Sequence, residues 1–121
     1  MTKSSLAVNL CGIDFKNPVI AASGTFGSAR EYHRFIDISR LGGVAVKGVT
    51  LEPRKGNPPP RIAETPSGIL NSVGLQNPGA DYFIEQELPL LQAYDTRILV
   101  NINGNTVEEY CRVAEKFQNR K

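Results

Sequence analysis

The sequence predicts an α/β fold with a parallel sheet, because three short apolar runs have the length and composition of covered strands. Each run ends on one polar residue: residues 19–22 precede Ser23, residues 44–46 precede Lys47, and residues 98–100 precede Asn101. Ligands of such proteins lie at the carboxyl ends of the strands. A serine, a lysine and an amide at three strand ends therefore predict one enzyme site.

The composition is typical of a soluble globular protein, with 40% hydrophobic and 21% charged residues in a chain of 121. The net charge of +2 argues against nucleic acid, and we interpret Arg54, Lys55 and Arg61, beside a proline run, as part of a solvated loop. No run of about 18 apolar residues is present to span a membrane. Residues 1–5 lead into a short apolar patch rather than a secretory segment, so we expect a cytoplasmic protein.

The cysteines and the single histidine do not predict a metal site or a nucleophilic triad. Cys11 and Cys111 form no C-x-x-C pair and are too few for a disulfide framework. His33 is the only histidine, so a zinc site made of this chain's residues is not expected. A Ser-His-Asp triad would need His33, which is predicted to lie in a helix, far from any strand end.

Alternating patterns predict the order hairpin, strand, helix, strand, long loop, helix, strand, helix. Residues 6–15 form the hairpin about a glycine turn. Ser28 and Glu31 have capping-box spacing and predict a first helix. The apolar face of that helix consists of Tyr32, Phe35, Ile36 and Ile38. Residues 50–79 are predicted to form an ordered functional loop.

Two more helices and a third strand are predicted beyond that loop. Residues 80–94 form a helix that Pro89 kinks or restarts, with Phe83, Leu88 and Leu91 on its inner side. Residues 97–102 form the third strand. Asn105 and Thr106 cap the last helix, whose core-facing positions are predicted to be Val107, Tyr110, Cys111, Ala114 and Phe117. Cys111 is accordingly expected to be a small buried hydrophobe.

The predicted units cover only part of a larger architecture. An eight-unit barrel typically needs ~250 residues, and one hairpin with about three βα units is less than half of it. Residues 118–121 carry no cap or terminal strand, so we expect the chain to end inside a longer fold. The alternative is a complete three-stranded α/β domain with an open sheet edge.

Lys47 is the strongest single candidate for a functional residue. An ammonium at the end of an apolar strand is costly to desolvate unless an anion or a hydrogen-bond acceptor meets it. The lysine either pairs with a nearby carboxylate or serves as a cation for an anionic ligand or for charge that develops during a reaction. Gly48 follows and permits close approach to the backbone.

Two glycine-containing segments carry further candidates. Residues 23–27 lack the spacing of a P-loop or a dinucleotide fold, and indicate either a cofactor edge or a plain turn. In residues 68–79, Asn71 and Asn77 each offer a donor and an acceptor suited to a planar imide or ureide. Gly74 lets main-chain amides approach a ligand. A glycine-rich surface turn is the alternative for this segment.

Four segments together resemble the amino-terminal part of the dihydroorotate dehydrogenases. They are residues 17–27 (Asn-Pro-Val-Ile-Ala-Ala-Ser-Gly-Thr-Phe-Gly), 46–50 (Val-Lys-Gly-Val-Thr), 71–79 (Asn-Ser-Val-Gly-Leu-Gln-Asn-Pro-Gly) and 100–102 (Val-Asn-Ile). The phrase Ala-Ser-Gly-Thr-Phe-Gly is similar to the class 1B, catalytic-subunit form. The resemblance runs from about Leu6 to the end of the chain.

The resemblance implies that residues 1–121 belong to an FMN-binding TIM (β/α)8 barrel that oxidises dihydroorotate to orotate in pyrimidine synthesis. By motif match it implies flavin contacts from Ser23, Lys47, Gly48 and Asn101. It also implies that Lys47 lies near the substrate and acts electrostatically. The implied substrate loop consists of Asn71, Ser72, Val73, Gly74 and Leu75. The class 1B form further implies a homodimer joined to an FAD and iron–sulfur subunit that passes electrons to NAD.

The resemblance also implies groups that this chain does not contain. In the family a cysteine base takes a proton from C5 of the substrate while hydride moves from C6 to the flavin, and the motif match places that cysteine beyond residue 121. Cys11 and Cys111 cannot replace it, so the 121 residues alone are not expected to turn over. The alternatives are a related FMN pyrimidine oxidoreductase, such as the dihydropyrimidine dehydrogenase domain, and a noncatalytic fragment whose edge at residues 98–102 predicts aggregation.

Overall fold

The computed structural model describes residues 6–118. The chain divides into two compact units, one formed by Met1–Lys47 with Ile84–Asn101 and the other by Gly48–Phe83 with Ile102–Lys121. The predictions for residues 1–5 and 119–121 lie outside the described residues. The chain passes between the units at three places. Two of them, Lys47–Gly48 and Asn101–Ile102, include candidate site residues from the sequence: Lys47, Gly48 and Asn101.

The first unit begins with the predicted hairpin. Strand β1 (Val8–Leu10) pairs antiparallel with β2 (Ile13–Phe15). The turn uses left-handed backbone at Cys11 (φ 51°) and Gly12 (φ 83°). The side-chain oxygen of Asn9 accepts a hydrogen bond from the amide of Gly12 at 3.1 Å, which stabilises the turn. The hairpin prediction is confirmed.

A three-stranded parallel sheet forms the centre of the first unit. It consists of β3 (Ile20–Ala21), β4 (Gly43–Ala45) and β7 (Arg97–Leu99) in chain order. The prediction of an α/β fold with a parallel sheet is confirmed. The prediction that all three runs are covered is wrong: Val44 is fully buried, whereas Val19 and Ile20 are exposed and Ile98 is half-buried. Only β4 has a neighbouring strand on both sides, and the edge strands keep more of their surface in water.

The first predicted helix does not form. The chain has a short helix α1 (Ser23–Phe26), followed by two 3₁₀ turns, Tyr32–Arg34 and Ile38–Arg40. Gly27 (φ 58°) and Ala29 (φ 65°) are both left-handed, and an α-helix cannot start across them. The capping box of Ser28 and Glu31 is therefore absent, because its spacing is meaningful only on a helical backbone. The predicted apolar face is lost with it.

Within that stretch Ala29 and Ile38 reach the core. Phe35 is 84% exposed and Ile38 is 0% exposed, although the sequence placed both on one buried face. Asp37 caps the second turn by accepting a hydrogen bond from the amide of Ser39 at 3.0 Å. Phe26 and Tyr32 stack on each other with ring centroids 4.7 Å apart.

The predicted helix at residues 80–94 is confirmed over residues 80–92, with a π-helical irregularity before Pro89. It consists of α2 (Ala80–Tyr82), a π-helical segment (Phe83–Glu87) and α3 (Leu88–Gln92). Proline lacks an amide hydrogen and its ring displaces the carbonyl four residues back, so the hydrogen-bond ladder shifts ahead of it. The three residues predicted to face inward are buried: Phe83, Leu88 and Leu91.

The second unit contains a hairpin that the sequence did not reveal. Strand β5 (Ile62–Thr65) pairs antiparallel with β6 (Gly68–Asn71) inside the predicted long loop. Every residue of both strands is exposed. Without one buried face, the period-2 alternation of polarity that signals a strand has no reason to appear in the sequence. Val49 also forms a single parallel bridge with Ile102.

The last helix, α4 (Val107–Phe117), is capped as predicted but packs through a different face. Thr106 Oγ1 accepts from the amide of Glu109 at 3.2 Å. The prediction of a core face at Val107, Tyr110, Cys111 and Ala114 is wrong, since all four are exposed.

Residues 113, 116 and 117 lie about one helical turn apart, on the face of α4 that packs against the rest of its unit. Val113 is fully buried, Lys116 Nζ is 2.6 Å from Asp81 Oδ1, and the rings of Phe117 and Phe83 are 6.0 Å apart. Packing against α2 therefore selects this face, which is rotated from the one that apolar periodicity indicated.

Candidate active site

The register of the sheet places the predicted polar residues at one edge. Ala45 pairs with Leu99, and the amide of Val46 donates to the carbonyl of Leu99 at 3.0 Å. Lys47 and Asn101 each follow that pair by two residues, so they lie at the same level beyond the strands. Ser23 follows Ala21, which pairs with Val44 on the other side of β4.

Lys47 is half-buried and has no counter-charge among the described residues. Its neighbours Val46 and Gly48 are buried. Within residues 6–118 the ion pairs join Lys16 to Asp95 and Lys116 to Asp81, and no side chain there bonds to Nζ of Lys47. The interpretation of Lys47 as one half of a structural ion pair therefore finds no support in this part of the chain. The ammonium remains available for an anion.

The hydrogen-bonding groups of the Ser23 and Asn101 side chains are not used within residues 6–118. Ser23 is half-buried at the first position of α1, and Asn101 is exposed. Neither side chain hydrogen-bonds to any of residues 6–118, so a hydroxyl and an amide are open to a ligand beside the lysine. Both are able to donate and to accept hydrogen bonds.

The segment of residues 71–75 lies in the second unit and is ordered by Asn57. Asn57 donates from its amide to the carbonyl of Val73 at 3.0 Å, and from Nδ2 to the carbonyl and hydroxyl of Ser72, both at 3.0 Å. A Cβ on Gly74 (φ 77°) would lie 2.7 Å from Cγ of Asn57, so only glycine fits there. Asn71 and Ser72 are exposed. The order predicted for this segment is confirmed, and its functional role stays a prediction.

Asn77 is not open to a ligand, and the prediction that its amide faces one is wrong. It is 6% exposed. Its side-chain oxygen accepts from the amides of Thr50 and Gly79, and its nitrogen donates to the carbonyl of Leu75. Burial explains the difference: a polar side chain removed from water is stable only when protein groups satisfy it.

Two residues around the loop were missed by sequence reasoning. Asn57 carries no motif that could have revealed its role. Arg61 was interpreted as solvated, but it is half-buried, and its Nη1 donates to Oε1 of Gln76 at 2.6 Å. The carbonyl of Arg61 accepts from the amide of Ser72 at 2.8 Å. Arg61 therefore supports the loop from the base of the hairpin.

The histidine and the two cysteines belong neither to the strand ends nor to the segment of residues 71–75. His33 sits in a 3₁₀ turn, exposed, with Nδ1 2.6 Å from the carbonyl of Arg30. Cys11 lies in the hairpin turn and Cys111 on the surface of α4. Among residues 6–118, no three His, Cys, Asp or Glu side chains come together as metal ligands. The described helices are all too short or too polar to cross a membrane.

Comparison with known proteins decides the family. The dihydroorotate dehydrogenase family model matches residues 5–121. The chain belongs to the dihydroorotate dehydrogenase family. Its similarity to curated members is high: the catalytic subunit of dihydroorotate dehydrogenase B (NAD(+)) of Alkaliphilus metalliredigens is 60% identical over 117 residues. The same subunit of Thermoanaerobacter pseudethanolicus is 56% identical over 113 residues.

The chain spans well under half of these dihydroorotate dehydrogenases. The first alignment covers 97% of this chain and 39% of the relative, and the second covers 93% and 37%. Solved dihydroorotate dehydrogenases of Eimeria tenella have the same fold over this region. The complex with ferulenol has a TM-score of 0.69 at 26% identity, covering 92% of this chain and 33% of that one. The ligand-free form has a TM-score of 0.64 at 27% identity, covering 93% and 34%.

Proposed function

We propose that residues 1–121 are the amino-terminal part of a class 1B dihydroorotate dehydrogenase catalytic subunit and belong to one FMN-binding (β/α)8 barrel. The complete protein oxidises (S)-dihydroorotate to orotate in pyrimidine synthesis. Family membership supports this assignment, as do relatives named for that subunit. The parallel sheet in chain order, preceded by a hairpin, is the arrangement expected of the first units of such a barrel.

Lys47 is the observation that carries the proposal. It follows the most deeply buried strand of the sheet, and no carboxylate among residues 6–118 neutralises it. A fixed cation in a site from which water is excluded stabilises negative charge more than it does in water. We assign Lys47 this role toward flavin and substrate.

The residues at the sheet edge fit the pyrimidine side of FMN. The isoalloxazine ring presents carbonyl and imide groups, which need both donors and acceptors. Ser23, Lys47 and Asn101 supply a hydroxyl, an ammonium and an amide whose capacity the described protein leaves unused. Gly48 is assigned to backbone contact with the flavin. FMN supplies a hydride acceptor when bound, and the protein's task is to bind and orient it.

Residues 71–75 are assigned to the substrate. Asn71 offers an exposed amide to the planar ureide of dihydroorotate, and Ser72, Val73, Gly74 and Leu75 shape the loop around it. The geometry held by Asn57 orders this loop before any ligand arrives. The base that removes the C5 proton is assigned to a cysteine beyond residue 121.

The proposed partners are those that the resemblance to the class 1B form implies. We assign a homodimer that joins an FAD and iron–sulfur subunit and passes electrons to NAD in the cytoplasm. The words "catalytic subunit" and "NAD(+)" in the names of the relatives support an electron-transfer partner.

The test uses the complete flavin-loaded protein under anaerobic conditions. Dihydroorotate is added while the visible absorbance of the flavin and the ultraviolet absorbance of orotate are followed. We expect the flavin to bleach with one orotate formed for each flavin reduced. A protein that stays yellow with dihydroorotate but bleaches with a dihydropyrimidine lacking the carboxylate would contradict the proposal and favour a dihydropyrimidine dehydrogenase-like reaction.

A further inference from the structure

The side chain of Asn77 joins separate segments of the second unit. Its Oδ1 accepts from the amide of Thr50 at 3.1 Å and from the amide of Gly79 at 3.0 Å. Its Nδ2 donates to the carbonyl of Leu75 at 2.9 Å. The backbone of Asn77 exchanges two further hydrogen bonds with that of Arg54, at 2.9 and 3.0 Å. One buried amide thus fixes the geometry of several chain segments at once.

Both the backbone amide and the carbonyl of Thr50 form hydrogen bonds. Its amide donates to Asn77, and its carbonyl accepts from the amide of Ala80 at 2.8 Å. Its hydroxyl lies 3.1 Å from Oδ1 of Asn77 and 2.6 Å from the carbonyl of Glu52. A hydroxyl has one proton, and the shorter contact takes it. The backbone amide is therefore the main link between Thr50 and Asn77.

Leu75 adopts a backbone conformation that leucine rarely takes. Its φ is 54°, and Gly74 before it has a φ of 77°. Glycine enters this region freely, but a leucine there persists only when its surroundings hold it. The amide nitrogen of Asn77 supplies such a restraint through the carbonyl of Leu75. A carboxylate of the same shape could not, because it has no hydrogen to donate.

We propose that Asn77 is a positioning residue for the substrate loop, residues 71–75. It holds Gly74 and Leu75 left-handed, so that the loop presents one main-chain arrangement before the ligand binds. Ordering a loop in advance removes part of the entropic cost of binding. The inference rests on the proposed function, because that function assigns these residues to the substrate.

The first variant is Asn77→Asp in the complete flavin-loaded protein. Aspartate keeps an acceptor for Thr50 and Gly79, removes the donor to Leu75 and sets a carboxylate oxygen against the Leu75 carbonyl. We expect the KM for dihydroorotate and the Kd for orotate to rise about tenfold. Flavin content is expected to be unchanged and kcat to fall much less than KM rises.

The matched control is Asn105→Asp. Asn105 is exposed, belongs to the same unit, and its side chain has no hydrogen bond with any of residues 6–118. The substitution makes the same chemical change without touching the loop. We expect KM, Kd and kcat to stay at their original values.

A second substitution separates loop positioning from general support of the fold. Glycine adopts positive φ without help, so Asn77→Asp should weaken orotate binding much less in a Leu75→Gly background than in the parent. Leu75→Gly alone measures the loss of the leucine side chain. If Asn77 acted only through Thr50 and Gly79, Asn77→Asp would have the same effect in both backgrounds. Equal effects overturn the proposal, as does an Asn77→Asp variant with unchanged KM and Kd.

Hydrogen exchange makes the outcome independent of the reaction. We expect the peptide covering residues 71–79 to exchange faster in Asn77→Asp than in the parent and the Asn105→Asp control. Equal exchange rates overturn the inference even if the substrate differs from the one proposed. A parent protein that does not oxidise dihydroorotate contradicts the proposed function only. If Asn77→Asp does not fold, Asn77→Ser replaces it, because a hydroxyl can still accept from the amide of Gly79 and the contact with Leu75 is lost.

Discussion

Asn17 and Gly42 are locked together where the first strand of the parallel sheet begins. Asn17 Oδ1 accepts from the amide of Gly42 at 3.0 Å and from the amide of Val19 at 3.0 Å. The carbonyl of Asn17 occupies the space that a side chain at residue 42 would need. This contact sets the spacing between the end of the hairpin and the start of β4.

We expect Gly42→Ala to destabilise the complete protein by about 3 kcal/mol or more, because the new methyl group would overlap a backbone atom that cannot move aside. Denaturation monitored by circular dichroism measures the loss. Gly68→Ala is the control, since a Cβ there meets no atom within 4 Å. Equal stability of the two variants would show that the contact with Asn17 relaxes.

Lys16 gives a pH-dependent link within the first unit. Its Nζ donates to the side chain of Asp95 at 2.5 Å, to the main-chain carbonyl of Asp95, and to the carbonyl of Ser39 at 2.9 Å. The hydrogen bond and the charge of Lys16 lower the pKa of the Asp95 carboxyl below its ordinary value. Any stabilisation is therefore present above the ordinary pKa and is lost as the pH falls through the lowered one.

We expect carboxyl NMR titration to report an Asp95 pKa below that of an unperturbed aspartate, and Lys16→Met to return it toward the ordinary value. The effect on stability is expected to be small, because the side chain of Asp95 is 90% exposed and water screens the pair. An Asp95 pKa that does not respond to Lys16→Met would contradict the pairing.

The cap of α4 gives a local test of stability. Thr106 Oγ1 accepts from the amide of Glu109, whose own carboxylate accepts from the amide of Asn105 at 2.5 Å. Removing the hydroxyl in Thr106→Ala should cost about 1 kcal/mol. Thr106→Ser keeps the acceptor and should lose a few tenths at most. Comparable losses in both variants would assign the effect to the methyl group instead.

Lys47 gives the central functional test. In the complete enzyme we expect Lys47→Ala to slow flavin reduction by dihydroorotate about 10²-fold, because stabilisation of developing negative charge is lost. Anaerobic stopped-flow absorbance measures this rate. Lys55→Ala is the matched control, since Lys55 is exposed and its side chain forms no hydrogen bond or ion pair within residues 6–118. An unchanged rate in Lys47→Ala would remove the electrostatic role.

Much of the candidate site could be predicted from the chain because it depends on short-range order. The positions of Ser23, Lys47 and Asn101 follow from where apolar runs end, and strand register then brings those ends to one edge. Side-chain chemistry alone could not separate Asn71 from Asn77, because both are asparagines in the same motif. Only packing shows that the first is exposed and the second is buried with its hydrogen bonds satisfied.

The sequence by itself determined the α/β class, the parallel order of the strands, the cap at Thr106 and the helical irregularity before Pro89. Each of these follows from local polarity patterns or backbone chemistry. Tertiary structure decided the rest: the exposed hairpin at residues 62–71, the loss of the first helix, and the face through which α4 packs. These features depend on which surfaces meet, and a surface is buried by residues distant in the chain, which local periodicity does not record.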